Sequence, residues 1–271
     1  MHKFYKILVL LFLSIALNAT ATPASETDNA NFLLNKGHYL KAAKAFQEKS
    51  IKTKDLAQSI LFNSISEILY SHPDGKYYLS TAFPSGASLL NPDSNYLKPG
   101  TIDLRAPLAI QAALRDKAVS QILKASNVIE KSKRLVKVNH ESAEQTLETA
   151  RQHLTQANIL SKGIAESYYF DVAKIQVSIH RKRSKLIANQ FDLSLAMLDN
   201  IDTNSTQYRE HLLLLLEKIE DITEELEAII TIADKFEGRF EKISDISRSD
   251  YAMLHNIRCT LIEDLKKLDN D

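Results

Sequence analysis

The chain has 271 residues, with 34 Lys and Arg set against 34 Asp and Glu, ten Tyr, ten Phe, no Trp, and six each of Gly and Pro. That balance excludes a general nucleic-acid-binding surface, which needs a basic excess to meet phosphate. A single cysteine, Cys259, excludes an internal disulfide, and a chain of this length buries enough apolar surface to fold without one.

At the amino terminus a basic stretch, Met1-His2-Lys3-Phe4-Tyr5-Lys6, leads into an apolar run from Ile7 to Leu17, closed by Asn18-Ala19-Thr20-Ala21. Basic flank, short apolar run and small-x-small ending together read as a signal peptide over residues 1–21, cleaved near Ala21. The run is too short for a membrane anchor, which takes about 20 apolar residues. No cysteine follows it, so the lipid-anchored form of bacterial export is not supported. The expectation is an exported protein, periplasmic or secreted.

Residues 22–71 read as helical. Within them Gly37-His38-Tyr39-Leu40-Lys41-Ala42-Ala43-Lys44-Ala45-Phe46 resembles the second half of a tetratricopeptide repeat, with Gly37 at the turn and Tyr39, Ala42 and Phe46 on the inward face of its second helix. Gly75-Lys76-Tyr77 repeats the start of that pattern 38 residues later. The resemblance covers the amino-terminal part only. It implies a helix-pair module of the kind that binds peptides or partner proteins and needs a neighbour to cover its apolar face.

Residues 72–104 collect the helix breakers: four of the six prolines (Pro73, Pro84, Pro92, Pro99) and three of the six glycines (Gly75, Gly86, Gly100). An irregular segment is expected. It is too apolar and aromatic for ordinary disorder, so it either straps across the bundle or makes a contact loop for a partner or a membrane surface. Tyr77, Tyr78, Phe83, Leu89, Leu90 and Tyr96 are the candidate contact residues.

After Pro107 there is no proline, and only Gly163 and Gly238 interrupt residues 105–271. Pro107 suits a first helical turn, and Ala112, Val119, Ile122 and Ile129 give a helix over 106–137 its apolar stripe. A seam of Ala143, Leu147, Ala150, Leu154, Ala157, Ser161, Ile164 and Tyr168 continues, after a stutter, into Val172, Ile175 and Ile179, which predicts one helix from 140 to 200. Leu212, Leu215, Ile219, Ile222, Leu226, Ile229, Ala233, Phe236, Phe240 and Ile243 alternate steps of three and four, a heptad seam. Leu254, Ile257, Leu261, Leu265 and Leu268 form a last seam after the polar run 244–250. The fold class is therefore all-α: an elongated antiparallel helical bundle or coiled coil, an amino-terminal helix pair, and an irregular loop segment.

Asp199-Asn200-Ile201-Asp202-Thr203-Asn204-Ser205 is rich in turn and cap residues and predicts a helical hairpin. Residues facing each other across it should have numbers summing to about twice the midpoint. That sets Arg181, Lys182, Arg183 and Lys185 opposite Glu220, Asp221, Glu224 and Glu225, as an inter-helix charge pairing that selects register. The same arithmetic about 138–139 sets Lys131, Lys133 and Lys137 near Glu141, Glu144 and Glu148.

Catalytic signatures are missing from the sequence: no His-Glu-x-x-His, no Gly-rich phosphate loop, no Gly-x-Ser-x-Gly. His140, Glu141, Glu144 and His153 lack the repeated Glu-x-x-His order of helical metal sites, so neither a metal nor a cofactor is expected. Cys259 falls on the outer face of its helix, where a free thiol could join two chains, and the helices offer a second route to a homodimer. The functional expectation is a noncatalytic exported scaffold or protein-interaction protein with unassigned protein partners, in a cell-envelope or secretion assembly. The alternative is a secreted membrane-acting, pore-forming type of helical protein.

Overall fold

The structure, a computed structural model, describes residues 26–79, 100–164, 169–198, 201–203, 205–236 and 238–268. The expected signal peptide lies outside these residues. Among them are eight helices, α1 (Glu26–Asn35), α2 (Tyr39–Lys52), α3 (Leu56–Ser71), α4 (Pro107–Leu135), α5 (His140–Lys162), α6 (Tyr169–Leu198), α7 (Thr206–Asp234) and α8 (Glu241–Leu268). Two short strands, β1 (Lys76–Leu79) and β2 (Gly100–Asp103), complete an all-α fold. The chain forms two compact units, divided within α4 between Leu114 and Arg115.

In the first unit α1 and α2 meet at a tight turn, where Gly37 has φ +75° and the His38 N–H returns to the Leu33 carbonyl at 2.9 Å. The hairpin buries Ala30 and Leu34 of α1 and Ala42, Ala43 and Phe46 of α2. Asp55 caps α3 by accepting the Ala57 and Gln58 N–H groups, which supplies two of the unpaired donors at a helix start. α3 then runs antiparallel to α2: Ser66 donates to the Ala43 carbonyl at 2.8 Å and Ser59 to that of Ser50 at 2.8 Å.

Residues 72–104 are not irregular throughout. β1 and β2 pair antiparallel, with Lys76 opposite Asp103 and Leu79 opposite Gly100, and the Leu104 N–H extends the ladder to the Gly75 carbonyl at 2.7 Å. Lys76-Tyr77-Tyr78-Leu79 and Gly100-Thr101-Ile102-Asp103 carry the β-branched and aromatic residues that strands favour. Clustered Pro and Gly around them mask that preference in a sequence reading.

The second unit is a series of antiparallel reversals. Asn139 caps α5 by accepting the Ser142 N–H at 2.9 Å, and His153 of α5 bonds Gln121 of α4 at 2.7 Å. Ser205, the last residue of the predicted turn, caps α7 by accepting the Tyr208 N–H at 3.2 Å, while residues 199, 200 and 204 lie outside the described residues. Parallel alignment of α4 and α6 follows from two reversals, and buried polar groups fix it. Asn189 donates to the Ile129 carbonyl at 3.1 Å and to Ser132 Oγ at 3.0 Å. Leu212, Leu215, Ile219, Ile222, Leu226, Ile229 and Ala233 of the predicted seam are all buried. From Ile219 onward they pack with Ala173 and Val177 of α6, Phe240, and Leu254 of α8, while Leu212 and Leu215 pack with Leu198 of α6 and Leu265 of α8.

Three expectations are corrected. The single helix over 140–200 is two: α5 stops at Lys162 with Gly163 at its end, and α6 begins at Tyr169. Gln176 donates to Asn158 Oδ1 at 3.2 Å and Ser161 Oγ at 2.5 Å, so the helices fold back on each other. Folding back buries both seams against neighbours, whereas a single rod must find a partner along its whole length. The break in the last helix lies at 235–240, where Gly238 has φ +73°, and not at 244–250. Ser244 and Ser247 are buried inside α8, where small side chains allow close approach. Val119 is 41% exposed, and Ala118 and Ala125 take its place in the α4 stripe.

Spin labels at the exposed Thr155 and the half-buried Ser178 separate the two arrangements. A continuous helix puts them about 35 Å apart at 1.5 Å per residue. Packed helices lie about 10 Å axis to axis, so the expected label separation is under about 20 Å. A distribution centred near 35 Å would restore the single helix.

Candidate interaction surface

The two glycine-x-tyrosine sequences that mark the amino-terminal part meet in space. Gly75 takes φ +72°, and a β-carbon there would fall within the Tyr39 ring. Glycine serves two needs at once here, a left-handed backbone and room for an aromatic face. Gly37 has the same backbone sign, but a β-carbon on it would make only ordinary contacts at 3.8–3.9 Å with Arg105 and Tyr39. The Tyr39 hydroxyl donates to Asp103 Oδ1 at 2.9 Å. Asp103 also accepts the Arg105 backbone N–H at 2.8 Å, Nε at 3.0 Å and Nη2 at 2.6 Å. α2 is thereby clasped to the base of the ribbon.

The clasp shows in the acidities of its members. Hydrogen bonds from the Arg105 side chain, then its backbone N–H, hold the Asp103 carboxyl well below the usual range. Burial first, and then the bond to Asp103, push the Tyr39 hydroxyl up. The ribbon so anchored has two unlike faces. Tyr77 is half-buried, edge-on to His72 with ring centroids 5.2 Å apart, while Tyr78 is 63% exposed. Of the candidate contact residues, Phe83, Leu89, Leu90 and Tyr96 lie outside the described residues. Leu79 and Gly100, the described residues that flank them in the chain, pair in the ribbon.

The hairpin arithmetic is met at one ion pair, Arg183 with Glu225, and the other charges distribute differently. Glu225, one of the four predicted acids, is the one that α6 meets: Arg183 lies 3.7 Å from Oε1 and His180 Nδ1 2.6 Å from Oε2. Glu220 pairs with Arg258 of α8 at 3.2 Å, and Asp221 with Lys218 of its own helix at 3.3 Å. Lys182 turns to α4, donating to Ser126 Oγ at 2.7 Å, and burial followed by the neighbouring Lys185 and Arg181 lowers its pKa. Among the described residues Arg181, Lys185 and Glu224 enter no ion pair, nor do Lys131, Lys133 and Lys137 with Glu141, Glu144 and Glu148. The arithmetic finds the hairpin and misses the third helix that competes for its acids.

Cys259 is exposed, as its helix position predicts, with Sγ 3.8 Å from His255 Nε2. Sequence reading misses Asp171. It is buried in the first turn of α6, with Arg115 at 3.7 Å from Oδ2 and Lys174 at 3.8 Å from Oδ1, and Oδ2 accepts no hydrogen bond. Burial raises its pKa against the pull of the two cations.

Two measurements follow from the clasp. Gly75→Ala is expected to destabilise the first unit by about 1–3 kcal/mol, the cost of a strained backbone, with ring displacement added. Tyr39→Phe is expected to cost about 1 kcal/mol, one hydrogen bond. Thermal melts or amide exchange confined to α2 and the ribbon would read both. In pH the signs oppose. The depressed Asp103 stabilises above its unfolded pKa of about 4 and loses that contribution in stronger acid. The raised Asp171 costs stability above about pH 4 and is relieved as it protonates. Acidification should therefore weaken exchange protection in the first unit while Asp171 acts in the opposite sense in the second. A uniform response of both, unchanged by Asp103→Asn or Asp171→Asn, would refute the assignment.

Compared with protein-family models, with curated proteins and with solved structures, the chain matches none.

Proposed function

We propose that the protein is an exported, noncatalytic helical scaffold that presents an aromatic contact surface to a protein partner. The observation that supports this reading most directly is the clasped ribbon. Gly75, Tyr39, Asp103 and Arg105 fix its base, yet Tyr78 points outward from it, 63% exposed. An exposed aromatic on a fixed support contributes contact area at low cost in conformational entropy, as contact hot spots do. Further apolar side chains stand exposed on the first unit, including Phe32, Leu40, Ile51 and Leu56. The basic flank, apolar run and small residues of 1–21 support export, and the helix pair about Gly37 fits the resemblance to peptide-binding helical repeats.

The test is a photo-crosslinking residue at Tyr78 in the protein expressed with its leader in its native host. A discrete crosslinked protein species is expected, absent when the residue is placed at exposed Glu217. Amino-terminal sequencing of the same material should start near Thr22. A chain that retains its first 21 residues would end the export reading. Leakage of vesicles by the purified mature chain, with no crosslink at Tyr78, would replace the scaffold with the membrane-acting alternative. Among the described residues no helix is long and apolar enough to cross a membrane.

A further inference from the structure

The edge between α7 and α8 carries an interrupted ladder of ion pairs. At one end Arg248 holds Asp234 at 2.9 Å, and at the other Arg258 holds Glu220 at 3.2 Å. The helices run antiparallel, so the α7 positions between these rungs, Glu224 and Glu227, are set opposite Tyr251 and His255. The cation nearest them, Arg258, is taken by Glu220. Among the described residues neither Glu224 nor Glu227 enters an ion pair or hydrogen bond. Between the rungs lies an open groove of about 320 Å³, lined by Glu220, Glu224, Glu227, Tyr251, His255 and Arg258 together with Ile219 and Thr223.

Both walls repeat at i, i+4, i+7: residues 220, 224 and 227 on α7 and residues 251, 255 and 258 on α8. This spacing stacks three side chains along one helix face. One wall supplies two uncompensated carboxylates, the other a tyrosine ring and an imidazole, with the Arg258 guanidinium already paired to Glu220 at the groove's end. Carboxylates on one side and an aromatic face on the other are the partners a guanidinium takes, through forked hydrogen bonds and stacking. Among the described residues no group of three or more His, Cys, Asp or Glu is placed to hold a metal ion. A dispersed pair of carboxylates on a groove wall suits a long cationic side chain better than a compact ion.

We propose that this groove docks an arginine-bearing segment of a protein partner, its guanidinium seated between Glu224, Glu227 and Tyr251. The proposal rests on the interaction-protein reading and names the chemistry of one contact within it, separate from the aromatic ribbon. Charge complementarity selects the occupant. The groove completes the ladder only when a cation comes from outside.

The mature full-length chain is titrated calorimetrically with a nine-residue peptide of alternating alanine and arginine, and with its glutamate counterpart. Binding of the arginine peptide alone is expected, with affinity falling as salt rises. The double substitution Glu224→Gln, Glu227→Gln should weaken it at least about tenfold, the loss of two charge-assisted contacts. Tyr251→Ala should weaken it severalfold, and Glu217→Gln, on the same helix outside the groove, should leave it unchanged. Tyrosine ring resonances of the unsubstituted chain should shift on titration, a readout that needs no variant. Equal binding of the glutamate peptide, an unaltered double variant, or unshifted Tyr251 resonances would overturn the proposal. The crosslink from Tyr78 is independent of the groove, so its loss strikes the scaffold reading and a silent groove strikes only this one.

Discussion

The second unit depends on the seam of α7. Seven buried residues from Leu212 to Ala233 lie on one stripe, and α6 and α8 both pack on it. A stripe shared by two neighbours fixes both at once: a shift of register in either would withdraw apolar area from the same seven side chains. That constraint explains why the flanking charges carry so little of the specificity. Arg183 and His180 converge on Glu225, Arg258 takes Glu220, and other charges of the basic run stand on the surface. Exposed pairs contribute a few tenths of a kcal/mol up to about 1 kcal/mol, far less than the burial of several leucines and isoleucines.

Much of this architecture is legible in the sequence because heptad spacing survives any tertiary arrangement. The seam, the caps at Asn139 and Ser205, and the hairpin between α6 and α7 all follow from local chemistry. The missed reversals share one cause. Apolar period alone does not distinguish a helix that continues from one that breaks and resumes in register, so residues 143–179 and 212–243 each read as unbroken. Gly163 and Gly238, the two glycines beyond residue 107, stand at the two breaks. Weighting the one residue that costs a helix about 1 kcal/mol above the continuity of the seam would have located both turns.

The ribbon of the first unit is less legible, for a different reason. Its clasp is made by residues far apart in the chain: Tyr39 meets Gly75 and Asp103. A repeated glycine-x-tyrosine reads from the sequence as two copies of one unit, whereas in space the glycine of the second copy receives the tyrosine of the first. Nothing in local propensity encodes that exchange. Asp171 was invisible likewise, since an acid in the first turn of a helix is what the helix dipole favours, and only burial turns it into a cost.

Buried polar groups divide into two kinds in this protein. Asn189 donates both to a carbonyl and to Ser132, a satisfied pair that rejects other registers of α4 against α6, as a single buried amide does in coiled coils. Asp171 has two cations near it and an oxygen with no hydrogen bond, an arrangement whose desolvation cost the nearby charges offset only in part. The groove between α7 and α8 is a third case. Its carboxylates Glu224 and Glu227 remain in water, so leaving them unpaired costs the folded chain almost nothing, while the one guanidinium lining the groove, that of Arg258, is held by Glu220. Pairing that is complete at both ends of the helix edge and missing in the middle makes that middle the place where an external charge adds most.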